Sequence, residues 1–267
     1  MAEAAAPPVR YEVSDGVATI TLDRPEARNS LTRTAKVALL EAVHSAAGDL
    51  AVRAVVLTGA GRAFSVGQDL REHAAALKEQ PLDVVWSTVT EHYAPIALGL
   101  ATMAKPVVAA VNGVAAGAGA SLVFACDFRL LAESAAINTA FAGIGLSCDT
   151  GASWTLPRLV GHARATELLM LPRTVSAAEA EQLGLATRVV PDAELASTAR
   201  AFARGLADGP TLAYASIKSC LGLAATTGLP AALAAEASAM ARTGGSRDHR
   251  EAVQAFLAKR APQFTGD

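Results

Sequence analysis

The sequence contains few of the residues that build disulfide frameworks, metal sites or strongly charged surfaces. Its 267 residues include three cysteines, none with CxxC spacing, so we expect neither a disulfide framework nor a zinc or other metal site. A formal net charge of −2 excludes general affinity for nucleic acid or anionic membranes. The start, MAEAAAPPVR, lacks the basic region and apolar run of a signal peptide, so the expected location is cytoplasmic. With 52% hydrophobic and 18% charged side chains, the chain is expected to fold around a large core.

One uncharged segment has the length of a membrane span. PVVAAVNGVAAGAGASLVFAC, residues 106–126, is interrupted by Pro106, Asn112 and several glycines, and its centre is Ala and Gly instead of Leu and Ile. This pattern favours a buried strand, a turn and a buried helix over a transmembrane helix. We therefore expect no association with the membrane.

Strand and helix patterns alternate along the chain. VRYEV and VATITL flank an Asp-Gly turn and predict a β-hairpin, while RAVVLTG and KPVVAAV predict buried strands. Apolar residues at helical spacing predict a helix after Pro25, capped by Ser30 or Thr32, another over about residues 71–104, and four more between residues 192 and 260. The alternation indicates an α/β protein. The last helices are apolar enough that they must pack on the body or on another subunit.

Two glycine-containing loops follow predicted strands. GAGRAFSVGQDL has neither the GK[ST] of a P-loop nor G-x-G-x-x-G, so it is either an ordinary turn or a place where Gly67 lets a ligand approach the N–H of Gln68. In NGVAAGAGASL, Ala118 lies at a predicted helix start, where backbone N–H groups lack partners, although small residues there also suit close helix packing. If the fold brings these two loops together, their N–H groups form an oxyanion hole.

A third stretch, GIGLSCDTGASW, places Asp149 in a segment with no other charge between Glu133 and Arg158. Aspartate is among the best helix N-caps, so a structural role is one interpretation. The other is proton transfer, because apolar surroundings raise the pKa of a carboxyl group toward neutrality. The stretch itself does not decide between the two.

Several motifs, in order, resemble those of the enoyl-CoA hydratase/isomerase (crotonase) superfamily. They are ITLDRPEARNSL, VVLTGAGRAFSVGQDL, KPVVAAVNGVAAGAGASLVFACDFRLLAE, GIGLSCDTGASWTLPRLVGHARATELL and AEAEQLGLATRVV. EHYAPI, GQDL, the Asp of SCDTGASW and the ending AFLAKRAPQFTGD are similar to the ring-epoxide phenylacetyl-CoA isomerases of phenylacetate degradation. The resemblance covers nearly the whole chain, from about residue 9 to the end.

The resemblance implies a fold and an assembly. The fold is a spiral of ββα turns that binds acyl-CoA, over residues 1–195, followed by a helical oligomerisation region over residues 196–267. Such regions build homotrimers, often paired into hexamers. Coenzyme A enters as part of the substrate, so no separate cofactor is expected.

The resemblance also implies roles for individual residues. The N–H groups of Gln68 and Ala118 would hold the thioester carbonyl, and Phe141, Leu146 and Trp154 would line the acyl pocket, with His92 and Tyr93 at its border. The residues implied to bind coenzyme A are Ala27, Arg28, Ala63, Ser65, Val66, Arg71 and, from a neighbouring subunit, Lys259. For Arg28, Arg71 and Lys259, solvated surface charge is the alternative interpretation.

The resemblance favours isomerisation over hydration. The hydratases of the superfamily use two glutamates, whose positions align here with Ser121 and Phe141. Asp149 remains as the expected general base and acid of an acyl-CoA isomerase that acts through a thioester enolate. The alternatives are an atypical enoyl-CoA hydratase, or a non-catalytic acyl-CoA-binding protein in which Asp149 only caps a helix.

Overall fold

A computed structural model describes residues 6–267 as alternating strands and helices. The strands are β1 (Val9–Ser14), β2 (Val17–Leu22), β3 (Ala54–Gly59), β4 (Ala63–Ser65), β5 (Val107–Val111), β6 (Val114–Ala116), β7 (Phe128–Ala132), β8 (Ala136–Asn138), β9 (Val175–Ser176) and β10 (Arg188–Val190). The helices are α1 (Arg33–Gly48), α2 (Leu70–Glu79), α3 (Leu82–Thr88), α4 (Ala94–Thr102), α5 (Ala118–Ala125), α6 (Ala152–Val160), α7 (His162–Met170), α8 (Ala177–Gln182), α9 (Leu195–Ala207), α10 (Thr211–Ala224), α11 (Leu229–Gly244) and α12 (Arg247–Leu257). The α/β class predicted from the sequence is confirmed.

The strands form two sheets that share the successive turns of one spiral. The larger sheet has the order β1-β2-β3-β5-β7-β10, and the smaller has the order β4-β6-β8-β9. Each turn places one strand in each sheet: β3 and β4, then β5 and β6, then β7 and β8. The pairings are parallel except β1–β2 and β8–β9. These are the ββα turns that the resemblance implies.

The first hairpin and helix form where the sequence predicts them. Ser14 pairs with Val17 across a two-residue turn, Asp15-Gly16, in which both residues have positive φ. This is the backbone conformation that an Asp-Gly pair favours between antiparallel strands. Thr32 caps α1 by accepting a hydrogen bond from the N–H of Ala35, at 3.2 Å. Ser30, the other predicted cap, instead donates to Asp69 at 2.8 Å.

The uncharged segment 106–126 lies in the core. It forms the predicted strand, β5, and the predicted helix, α5, and every residue of both is buried. Between them, where a turn was predicted, the chain also forms the short strand β6. Within residues 6–267, no helix is both long and apolar enough to cross a membrane. Burial of these small and branched side chains at about 25 cal/mol per Å² stabilises the packing of α5 close to the sheets.

The prediction of one continuous helix over about residues 71–104 is wrong about its continuity. The segment forms α2, α3 and α4, with a break at Pro81 and a π-helical turn over residues 89–93 between α3 and α4. A proline lacks the N–H that a continuing helix requires, so α2 ends at Glu79. A π-turn adds a residue to the helical repeat and often marks a functional site. Here it turns Tyr93 into the interior, where the side chain is 1% exposed.

The C-terminal helices differ in their packing. The apolar face of α9 is buried against the larger sheet, whereas α10, α11 and α12 leave large apolar side chains exposed. These are Ile217, Leu221, Leu223, Leu229, Leu233, Met240, Val253, Phe256 and Leu257. The helical character predicted for this region is confirmed, while the division at residue 195 and the assembly into trimers stay predictions.

Candidate active site

The two glycine-containing loops meet at one edge of the smaller sheet. β4 and β6 pair in parallel, so the chain leaves both strands at the same edge. Gly67, which follows β4, has φ +79°, and a Cβ at this position would lie 2.8 Å from the oxygen of Ala116 and 3.1 Å from the nitrogen of Ala118. Only a residue without a side chain allows this approach at that backbone conformation. The fold therefore brings Gln68 and Ala118 together.

Both predicted oxyanion-hole residues offer a backbone donor. Among residues 6–267, neither the N–H of Gln68 nor that of Ala118 donates to a loop carbonyl or to a side chain. Ala118 is the first residue of α5, whose N-terminus carries the positive end of the helix dipole. Two such N–H groups can hold a developing negative charge on one oxygen atom.

A largely apolar cavity of about 130 Å³ contains these residues and Asp149. Phe141 and Leu146, predicted for the acyl pocket, line it, as does Tyr93. The other lining residues are Val66, Leu70, His73, Trp86, Thr88, Val89, Gly117, Ala140 and Ile144. Among the described lining residues, Asp149 is the one carboxylate.

Asp149 does not cap the helix that follows it. The N-cap of α6 is Gly151, and it makes no side-chain cap hydrogen bond. The carboxylate of Asp149 instead accepts a hydrogen bond of 2.7 Å from the hydroxyl of Thr150. Burial raises the pKa of Asp149, while this hydrogen bond and the positive charge of Lys36 act in the opposite direction. The carboxyl is thus half-buried and shifted toward the neutral form, as a proton-transferring group requires.

A wider cleft continues from the cavity toward the surface. It encloses about 710 Å³ and shares Val66, Gln68 and Leu70 with the smaller cavity. Four of the residues predicted to bind coenzyme A line it: Ala27, Arg28, Val66 and Arg71. Arg28 and Arg71 are exposed at its rim, where two guanidinium groups suit a phosphate-bearing ligand.

Two residues predicted to bind coenzyme A lie elsewhere. Ala63 and Ser65 are buried in β4 and do not line the cleft. The hydroxyl of Ser65 donates to the oxygen of Asn29 at 2.8 Å and accepts from the N–H of Gly67 at 3.2 Å. Ser65 thus holds the loop that carries Gln68, and contact of coenzyme A with Ala63 and Ser65 stays a prediction.

Trp154 and Lys259 are also outside the cavity and the cleft. Trp154 lies on α6, stacks under the guanidinium of Arg158 at 4.0 Å and lines a separate groove with α4 and α10. Its predicted place in the acyl pocket is therefore not supported by the structure. Lys259 is exposed just after α12, and its action from a neighbouring subunit stays a prediction.

A buried polar cluster behind Gln68 contains a residue absent from the predicted site. Lys36, 2% exposed, donates from Nζ to Gln68 Oε1 at 3.1 Å and to Thr88 Oγ1 at 2.6 Å. The hydroxyl of Tyr93 donates to the same Gln68 oxygen at 2.6 Å, and His92 Nδ1 lies 3.3 Å from Thr88 Oγ1. Burial lowers the pKa of Lys36 and of His92 and raises that of Tyr93. Tyr93 thus lines the acyl cavity and His92 lines an adjoining chamber, and their contact with an acyl group stays a prediction.

The sequence pattern of α1 indicates that Lys36 is buried. It lies on the apolar stripe of α1, one turn before Leu39 and two turns before Val43, both of which are fully buried. A lysine at such a position must find polar partners inside the protein or leave the stripe. Its partners come from segments distant in sequence, which the pattern of α1 does not reveal.

The chain matches the family model described as enoyl-CoA hydratase/isomerase over residues 12–267. It is 46% identical over 258 residues to the probable enoyl-CoA hydratase of Rhodobacter capsulatus, which covers 97% of this chain and 98% of that protein. It is 42% identical over 254 residues to the 1,2-epoxyphenylacetyl-CoA isomerase of Escherichia coli, with coverages of 95% and 97%. The solved enoyl-CoA hydratase of Bacillus anthracis, 31% identical, superposes with a TM-score of 0.91 and coverages of 97% and 100%. The chain therefore belongs to the enoyl-CoA hydratase/isomerase family and has its crotonase fold.

Proposed function

We propose that this protein is a cofactor-independent acyl-CoA isomerase in which Asp149 is both general base and general acid. The observation that carries the proposal is the arrangement of one cavity: a single carboxylate among the described lining residues faces apolar walls, beside the N–H groups of Gln68 and Ala118. A reaction that removes a proton and returns it needs one such group. The E. coli isomerase among the relatives supports this assignment.

The proposed reaction proceeds in two proton transfers. The carboxylate of Asp149 removes a proton from the carbon next to the thioester carbonyl, or from the carbon beyond a double bond conjugated to it, and the electron pair moves onto the carbonyl oxygen. The N–H groups of Gln68 and Ala118 stabilise the resulting enolate, and each such donor contributes about 3–4 kcal/mol in comparable sites. Asp149 then returns the proton to a different carbon, which leaves the carbon–carbon double bond in a new position. The substrate gains and loses one proton, so no other reactant is consumed.

Hydration by two carboxylates is less well supported. Ser121, at one position where the hydratases of the resemblance carry a glutamate, is fully buried in α5 and donates to the oxygen of Gly117 at 3.2 Å. Phe141, at the other, is an apolar wall of the cavity. A hydratase must hold and activate a water molecule, and neither side chain can abstract a proton from it. The R. capsulatus relative nevertheless makes hydration the competing outcome to test.

Substitution of Asp149→Asn tests the proposal. Asparagine retains the size of the side chain and can still accept the hydrogen bond of Thr150, but it cannot act as a base. We expect binding of acyl-CoA with loss of isomerisation, measured on a panel of unsaturated and arylacetyl-CoA thioesters. Asp208→Asn, which removes an exposed carboxylate paired with Arg204, is the matched control.

Three outcomes are decisive. Unchanged isomerisation by the Asp149→Asn variant would refute the role of Asp149. Addition of water to crotonyl-CoA that survives the substitution would favour the hydratase. Binding without turnover of any thioester by the wild type would favour a non-catalytic acyl-CoA-binding protein.

A further inference from the structure

The side chain of Gln68 has a defined orientation. Its Oε1 accepts one hydrogen bond from Lys36 Nζ, at 3.1 Å, and a second from the hydroxyl of Tyr93, at 2.6 Å. A lysine ammonium group can only donate, so the atom that faces it must be the amide oxygen. The two donors thus determine which terminal atom of the carboxamide is the oxygen and which is the nitrogen.

The other end of the carboxamide, Nε2, makes no hydrogen bond to residues 6–267. It is not enclosed by the protein either, because the one fully buried side-chain polar atom without a partner in the described chain is the hydroxyl of Tyr11. Gln68 lines the acyl cavity and an adjoining polar chamber of about 250 Å³, and the two spaces also share His73 and Thr88. Gln68 also lines the wider cleft, so Nε2 has no partner among residues 6–267 and keeps accessible surface where these spaces meet.

We propose that Gln68 Nε2 donates a hydrogen bond to an oxygen atom on the acyl group, and that it selects acyl-CoA thioesters with an ether, epoxide or hydroxyl oxygen over their hydrocarbon analogues. This proposal rests on the proposed function, since it takes the acyl group to occupy this cavity. The backbone N–H and Nε2 belong to one residue, so the selected oxygen lies within a few bonds of the thioester carbonyl. A hydrocarbon at that place would displace water from Nε2 without replacing its hydrogen bond, which is costly.

Lys36 and Tyr93 are positioning residues for this donor. Without them the carboxamide can rotate and present Oε1, an acceptor that repels an ether oxygen. Both donors are themselves held: Lys36 also donates to Thr88 at 2.6 Å, and Tyr93 is 1% exposed on the π-helical turn. The cluster thus orients an amide that would otherwise be free to flip.

The test compares two unreactive ligands that differ in one atom. Phenoxyacetyl-CoA has an oxygen where 3-phenylpropanoyl-CoA has a methylene, and isothermal titration calorimetry gives the dissociation constant of each. We expect wild-type protein to bind the ether about threefold to tenfold more tightly, the range of one net hydrogen bond. Gln68→Met, which keeps the backbone N–H and the length of the side chain, should bring this ratio close to one. Gln68→Glu should reverse it, because its carboxylate repels the ether oxygen.

Substitutions of the positioning residues give the second readout. Tyr93→Phe and Lys36→Met should each lower the ratio between the two ligands, whereas a merely structural defect would weaken both ligands equally and leave the ratio unchanged. Equal binding of the two ligands by the wild type, or a ratio that survives Gln68→Met, would overturn the proposal. Neither ligand needs to be turned over, so the measurement can be repeated on Asp149→Asn. Failure of the isomerase assignment and failure of this proposal are therefore distinguishable.

Discussion

Gly67 is the position at which a single methyl group should disable the site. The residue has φ +79°, and the Cβ of an alanine would lie 2.8 Å from the backbone oxygen of Ala116. It would also lie 3.1 Å from the nitrogen of Ala118, one of the two proposed oxyanion donors. Both contacts are with backbone atoms, which cannot rotate away as a flexible side chain could. Relief of the contacts in Gly67→Ala must therefore move the loop of Gln68 relative to the start of α5.

The Gly67→Ala substitution should lower both the stability of the fold and the rate of turnover. The left-handed backbone conformation costs an alanine about 1–2 kcal/mol, and overpacking against the neighbouring backbone adds about 1–3 kcal/mol. The expected loss in the free energy of unfolding is thus about 2–5 kcal/mol. Displacement of one oxyanion donor should lower kcat by about 100-fold to 1000-fold. The effect on turnover should far exceed that on thioester binding, because the donors act most strongly on the enolate.

Substitution of a second glycine with positive φ separates the loss of stability from the loss of turnover. Gly184, after α8, has φ +77°, but a Cβ there meets nothing closer than the oxygen of Leu159 at 3.7 Å, which is ordinary contact. Gly184→Ala should therefore show the conformational cost, about 1–2 kcal/mol, and keep the turnover of the wild type. Thermal unfolding followed by circular dichroism measures stability, and steady-state isomerisation of an unsaturated acyl-CoA at a temperature where both variants are folded measures turnover.

The reasoning is refuted if the two folded variants turn over substrate equally. In that case, the approach of the Gly67 loop to α5 would not set the position of the donors. A Gly67→Ala variant with lower stability but full activity would lead to the same conclusion. Lower activity in both variants would show that loss of stability, and not displacement of the Ala118 N–H, limits the assay.

Three further predictions follow from the same contacts. Because burial raises the pKa of Asp149, the ionised carboxylate destabilises the folded state. Asp149→Asn should therefore have a higher melting temperature than the wild type at neutral pH. This difference should shrink as the pH falls through the raised pKa of the folded state and vanish below the pKa of Asp149 in the unfolded chain. The charge of Lys36 lowers the pKa of Asp149, so Lys36→Met should shift the acid limb of kcat/KM to higher pH, as a pH–rate profile would show. We expect light scattering to give the mass of a trimer or hexamer, and Leu221→Glu together with Met240→Glu, on exposed apolar faces of α10 and α11, to reduce it; a monomeric wild type would contradict this.

The sequence predicts the elements with strong local signals. The Asp-Gly turn, the uncharged run from residue 106 and the apolar periods of the helices each depend on a few neighbouring residues, and the structure confirms them. β4 and β6, three residues each, lie inside glycine-containing stretches that read as loops. Such short strands are formed by pairing with each other, which no local pattern specifies. Their pairing is nevertheless what brings the two donor loops together.

Some site residues are placed by the local sequence, and others are placed only by the whole fold. Asp149 and Phe141 lie in the same cavity because the chain between them folds back on itself locally, and the motif already places them near one another. Trp154 is five residues beyond Asp149, but the turn at Gly151 and the start of α6 direct its ring to another groove. The local pattern of this stretch reads as a loop, whereas the structure buries Ala63 and Ser65 in β4, and their contact with coenzyme A stays a prediction. Burial depends on the whole fold, so these positions were beyond the local pattern.

The construction of the site explains why Gln68 can have a second role. The two proposed oxyanion donors are backbone groups held by strand pairing and by a helix start, so their positions depend little on the side chain at either residue. Asp149, in contrast, lies in an irregular loop beside Thr150 and Gly151, which both have positive φ, and its chemistry depends wholly on its side chain. If both proposals hold, a change of the Gln68 side chain leaves the enolate donor in place and changes what the acyl pocket recognises. On this argument, Gln68 is the position at which substrate preference can vary without loss of the reaction. The hydrogen bonds from Lys36 and Tyr93 hold its amide in one orientation.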